Sequence, residues 1–266
     1  MVSRIRNHPK PKPPQPRPAT PTPRTTTPSA PARPDPLAVS IANGTTFSPV
    51  DRATVEASAA KALRLGADVP GRVQDGPTCG LYALGMVMDY WEKKNPNNGL
   101  DPLVQPTDSV RWDSHSLQPD TNRRLLDEAK AKGFTTEGEM FHADQLGALA
   151  ESFGYKAKVT EHFTQKDLFA AIDRHHPALV AFDVDQQGNP GLFGGARAHW
   201  AVVEGHFKKD GIDYVVATHG WTGKEYVWKA SDLMASVQQL NQSDFPGVPK
   251  DITGMLKDRL VEVTPK

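Results

Sequence analysis

Near residue 177 the hydrophobic pattern of this chain changes period. Upstream, apolar side chains recur at helical spacing. Downstream they come in short runs rich in Val, Ala and aromatic residues, as strands do. Helices first and an antiparallel sheet second give an α+β fold. The clearest helix is Cys79–Lys94, where Tyr82, Ala83, Met86, Val87, Tyr90 and Trp91 share the helical repeat. Helices are also expected at Asp51–Leu65, at Asn122–Lys132, at His142–Phe153, and at Gln165–His175 behind the cap Thr164. Residues 95–120 carry Asn, Pro, Gly and Asp and read as a long surface loop. Strands are expected at Ala178–Val184, His199–Phe207 and Ile212–Thr218, with Glu225–Trp228 and Leu260–Thr264 adding two more. Lys208-Lys209-Asp210-Gly211 carries a hairpin-turn signal.

About half of the 24 prolines lie in the first 36 residues. Proline fixes the backbone near polyproline II and removes donors, so this stretch cannot build a core. Residues 1–44 are therefore expected to be a disordered, basic tail, and residues 45–266 one catalytic domain. The tail reads as a spacer, as an address for specialised bacterial secretion, or as a ligand for SH3-type domains through its PxxP pattern. Formal net charge is +0, so no global field draws nucleic acid or an anionic membrane. No apolar stretch is long enough to span a bilayer, and no apolar region marks a Sec signal peptide. A cytoplasmic location, or secretion by a specialised system into a host cell, is expected. The single cysteine excludes an internal disulfide and a Cys-rich zinc site. No cofactor is expected.

That cysteine has a telling position. Gly76 and Pro77 make a turn, and the strongest helix starts right after it. Free N–H groups and the positive end of the helix dipole favour a thiolate at Cys79, as a nucleophile needs. Gly80 is expected to let the backbone approach a bound carbonyl. The Cys79 N–H and the Gln74 side chain together would form an oxyanion hole. The base must come from afar in sequence, and His199 opens a strand in Ala198-His199-Trp200-Ala201-Val202. The glycine-rich loop 188–195 before it is expected to be flexible and to line the cleft. His8, His115, His142, His162, His175, His176 and His206 read as ordinary surface or core histidines. A third group should orient the imidazole from the end of the next strand. His219 is the candidate there; a backbone carbonyl, or no third member, stays open. Asp213 lies at the wrong end of that strand.

Gln74-Asp75-Gly76-Pro77-Thr78-Cys79-Gly80-Leu81, followed by its helix, resembles the nucleophile segment of the actin maturation protease family. The likeness continues in Gly138-Glu139-Met140-Phe141, the Leu146–Phe153 helix, Ala178–Asp183, Ala198–Val202 and Gly220–Leu240. It implies a papain-like fold related to C39-type peptidases. It also implies proteolysis at the N-terminus of actin, by a Cys–His mechanism with Cys79 and His199 in the matching positions. Gln74 matches the oxyanion residue, although it stands five residues before the cysteine rather than six. The resemblance does not extend to the proline-rich tail. Combined with that tail, it fits a bacterial effector acting on host actin or another host protein. The same Cys–His pair serves acyl transfer, transglutamination and deamidation, and a fold of this kind can also survive as a non-catalytic binding module.

Overall fold

The computed structural model describes residues 44–50, 63–64, 69–74, 76–95 and 121–266. The chain divides into two units, Met1–Pro34 and Asp35–Lys266, and every described residue belongs to the second. The proline-rich tail, most of the expected Asp51–Leu65 helix and nearly all of the 95–120 loop lie outside the described residues.

In chain order the elements are β1 (Thr45–Thr46), β2 (Leu63–Arg64), α1 (Cys79–Lys94), α2 (Thr121–Ala131), α3 (Ala143–Ser152), β3 (Tyr155–Glu161), α4 (Gln165–Asp173), β4 (Ala178–Val184), β5 (Pro190–Leu192), β6 (Ala198–Lys209), β7 (Ile212–His219), β8 (Glu225–Lys229), α5 (Ala230–Val237) and β9 (Arg259–Pro265). The α+β expectation holds: helices pack on an antiparallel sheet. Order along the chain is less segregated than expected. Leu63–Arg64 is a strand rather than a helix end, β3 interrupts the helices, and α5 follows β8 directly.

All strand pairings are antiparallel. The main path runs β3–β9–β4–β6–β7–β8, with β5 beside the far end of β4 and β1 beyond β5. Asp210 and Gly211 make the two-residue turn between β6 and β7, both at positive φ, the backbone that a tight hairpin demands.

The sheet is covered on both sides. Leu179 and Ala181 join Trp200, Val202, Val261 and Val263 in a core with α1, α2 and α3. Their neighbours Ala178, Val180, Phe182 and Val184 join Val215, Ala217 and Trp228 in a second core with α4 and α5. This double burial explains why β4 is apolar almost throughout instead of alternating. It also explains α1, which is buried continuously from Gly80 to Tyr90, with Asp89 the one charged residue in that stretch, paired to Arg72, and Glu92, Lys93 and Lys94 at the exposed end. Thr164 caps α4 through a reciprocal capping box with Asp167.

Candidate active site

Gly76 takes φ +64, a conformation that costs a side chain little only when there is none. The turn delivers Thr78 as N-cap and Cys79 as the first residue of α1. Gly80 has a packing task. A Cβ there would lie 2.8 Å from Met140 Cβ and 3.0 Å from Trp200 Cδ1, so the glycine lets α1 close onto β6 and the 138–141 loop. Trp200 is locked in turn by its indole N–H, which donates to the Met140 carbonyl at 2.8 Å.

His199 is the second residue of β6, paired across the ladder with Phe182 of β4. It is buried, 4% exposed. A cavity of about 160 Å³ is lined by Gln74, Cys79, Glu139, Met140, His199 and Trp200, among others. The fold thus brings together three of the expected site residues, Gln74, Cys79 and His199, separated by up to 125 positions in the chain (199 − 74).

The fourth, His219, ends β7. Its ladder partner is Ala201, which puts it diagonal to His199 on the same face of the sheet. His199 Nε2 lies 3.0 Å from His219 Nδ1, and His219 Nε2 lies 3.1 Å from the Gly188 carbonyl. A carbonyl only accepts, so His219 must carry its proton on Nε2. Its Nδ1 is then an acceptor, and His199 Nε2–H donates to it. The other nitrogen of His199, Nδ1, is left with its lone pair.

Both rings are neutral. Burial pushes His219 down to about 4, only partly offset by the Gly188 carbonyl. Burial also holds His199 well below the usual histidine range, and the neighbouring His219 adds to the effect. Aromatic rings supply the enclosure: Tyr226 stacks on His219 with centroids 4.3 Å apart, and Trp221 lies 5.6 Å from His199.

The cysteine departs from expectation. Burial pushes its thiol up to about 11, and the N–H groups of Trp200, Gly80 and Cys79 itself pull it back only in part. Although the residue as a whole is half-buried, its sulfur is enclosed, and desolvation outweighs the helix terminus. Burial thus favours a neutral thiol and a neutral imidazole lining the same cavity. Gln74 is held by its backbone N–H to the Gly220 carbonyl at 2.7 Å, and its side-chain amide donates to the Gly76 carbonyl at 3.0 Å. A primary amide has two N–H bonds, so one is left to point elsewhere.

Some contributors escaped the sequence reading. Asp183, fully buried in β4, accepts from the N–H groups of Phe193 and Gly195 and from Gln239 on one oxygen, and from the Arg197 N–H on the other. The loop before His199 is thus tied down and partly a strand, not the flexible segment expected. A lone carboxylate inside an apolar strand was the available signal. Trp221 follows His219 by two residues and is 40% exposed, an uncommon place for an indole. The Gly188 carbonyl, a backbone group, has no sequence signature.

Among the described residues, no three His, Cys, Asp or Glu side chains are grouped to hold a metal ion. No helix among them is long and apolar enough to cross a membrane.

Comparison with known proteins falls on the same segments. Residues 69–207 match the family model described as actin maturation protease-like, C-terminal domain. The actin maturation protease of Danio rerio is 32% identical over 142 residues, covering 52% of this chain and 39% of that protein. That of Homo sapiens is 31% identical over 144 residues, 52% and 34% of the two chains. That of Drosophila melanogaster is 29% identical over 186 residues, 67% and 59%. The chain thus spans well under half the length of the first two relatives. A solved C39-like peptidase from Bacillus anthracis superposes with a TM-score of 0.46 at 10% identity, covering 76% of this chain and 98% of that one. That last likeness is too loose to weigh further. The family match covers more than half of the sequence and includes both Cys79 and His199: the chain belongs to the actin maturation protease-like family.

Proposed function

We propose that this chain is a cysteine peptidase in which Cys79 is the nucleophile, His199 the base and His219 the group that orients His199. The observation that carries this is the shared cavity of Cys79 and His199, together with a histidine relay that leaves His199 Nδ1 unprotonated. Nδ1 takes the Cys79 proton as sulfur attacks the scissile carbonyl. The Cys79 N–H and the spare Gln74 N–H stabilise the oxyanion. The C–N bond breaks as the imidazolium returns its proton to the leaving amine. Water, deprotonated by the same nitrogen, then releases the thioester as a carboxylic acid. Because thiol and imidazole both rest neutral, proton transfer accompanies attack rather than preceding it.

The substrate that the relatives' names suggest is actin. The proline- and arginine-rich tail fits delivery by a specialised secretion system into a host cell, with SH3-type or secretion-machinery contacts made by its PxxP segments; a free cytosolic peptidase is the rival setting. The test is incubation with actin and with a peptide library, followed by mass spectrometry. Shortened products that need Cys79, and rates at least ~10³ lower in Cys79→Ala and His199→Ala, are expected. Cleavage that persists in Cys79→Ala removes the mechanism. A one-dalton gain without shortening identifies a deamidase instead, and a larger gain a transferase.

The raised thiol favours one other reading, a binding module that kept the fold. Iodoacetamide separates the two. A catalytic pair predicts slow alkylation at pH 7 that slows further in His199→Ala, since the base assists thiolate formation. A rate indifferent to His199 supports the binder.

A further inference from the structure

A second cavity, about 440 Å³, shares Ala198 and His199 with the first and is lined also by Val184, Gln186, Arg197 and Trp221. We propose that it is a substrate subsite that selects a carboxylate side chain near the scissile bond, with Arg197 as the recognising group and Trp221 as its apolar wall. The inference rests on the peptidase reading of the adjoining site.

Arg197 carries the only formal charge among these lining residues. Its guanidinium makes no ion pair among the described residues. Its Cζ lies 4.3 Å over the Phe193 ring, a cation–π contact that restrains the guanidinium without using its N–H groups on an anion. The nearby acids are turned away. Asp183 faces the N–H groups of Phe193, Gly195 and Arg197, and Asp185 accepts from Gln187 and Asn189. A planar fork without an ion pair among the described residues, lining the same cavity as the base, matches a carboxylate in bidentate geometry. The first cavity instead carries Glu139, whose carboxylate is occupied by Thr135, Thr136 and Glu137. An acidic side chain is thus favoured in the Arg197 cavity and disfavoured in the other. The chain's net charge of +0 supplies no long-range attraction, so the preference must be local.

The experiment uses the full chain and paired peptide libraries, randomised except for one position fixed as Asp or as its isostere Asn. The fixed position is walked through the three residues on either side of the cut. At one position the Asp library should be cleaved about tenfold faster than the Asn library, the range of one charge-assisted hydrogen-bonded pair. Arg197→Gln should bring that ratio to about one, Arg197→Lys should leave part of it, and Arg197→Glu should transfer the preference to a Lys library. The Arg197 backbone contact to Asp183 survives all three, and thermal unfolding verifies the fold. The same libraries are bound to Cys79→Ala, read by fluorescence anisotropy, so the subsite is tested apart from turnover. Arg197-dependent preference in binding but no Cys79-dependent cleavage would sink the peptidase reading and keep the subsite. Cleavage with an Asp-to-Asn ratio of one at every position, a ratio unchanged in Arg197→Gln, or no binding to either library overturns the subsite.

Discussion

Two neutral histidines buried side by side make the protein sensitive to acid. An unfolded histidine takes up a proton near pH 6.5. Folded His219 resists until about 4, and His199 is held low as well. As pH falls below 6.5 the unfolded chain binds protons that the folded chain refuses, so stability falls with pH. The contribution is fully present above pH 6.5 and is lost as pH drops through the folded values. By pH 5 the loss from His219 is about 2 kcal/mol, and His199 adds to it in the same direction. Urea unfolding midpoints from pH 7 to 5 check this: wild type should fall steeply, and His219→Gln less so. Parallel slopes in the two proteins would show that His219 does not resist protonation. The residues of this site differed in legibility for a physical reason. Gln74, Cys79 and His199 sit in short motifs whose turn, helix start and strand start are local events. His219 was placed only by its position at a strand end, and its hydrogen bond to Gly188 depends on a backbone carbonyl 31 positions away that no residue type announces. At Cys79 the helix terminus is legible locally, whereas the burial that outweighs it comes from packing against a core assembled from distant segments.

At the scale of elements, α1 must lie close enough to β6 for Cys79 and His199 to share a cavity, and Gly80 sets that distance. Replacing it with alanine gains about 1 kcal/mol of helix propensity. Against this, the new methyl would stand 2.8 Å from Met140 Cβ and 3.0 Å from Trp200 Cδ1, and overpacking a core typically costs 1–3 kcal/mol. Both neighbours are held: Trp200 by its bond to the Met140 carbonyl, and Met140 by burial at 3% exposed. The steric term wins. Gly80→Ala should be destabilised by up to about 2 kcal/mol in urea, and its peptidase rate should fall further than stability explains, because the sulfur moves away from the imidazole. An unchanged urea midpoint with unchanged rate would mean that α1 is free to shift. The α1 helix itself was plain in the sequence, since its apolar run is long and starts at a turn. Two other elements were not. In β3, lysines alternate with apolar residues because only one face is covered. Helix α5 begins without a turn signal, with Lys229 of β8 as its N-cap. The lack of a breaker hid the change of element.

For the molecule as a whole, the segment matched by the family model ends at residue 207, yet the fold depends on strands beyond it. β9 pairs along all of β3 and with Ala178–Val180 of β4, joining the outermost strand to the sheet centre. Its side chains serve both cores: Val261 and Val263 lie under α1 and α3, and Leu260 on the opposite face. Burying an aliphatic side chain of this size is worth about 1.5–3 kcal/mol, so losing these three removes on the order of 5–9 kcal/mol before any ladder hydrogen bond is counted. Domains of this kind hold only about 5–15 kcal/mol in total. A chain shortened to end before Arg259 should therefore have no cooperative unfolding transition, although it keeps Cys79, His199 and His219. Tryptophan fluorescence during a urea titration reads this directly. Trp200 and Trp228, buried on opposite faces of the sheet, should lose their protected environment together. A sharp transition in the shortened chain would show that the two helical layers hold the sheet without its β9 link.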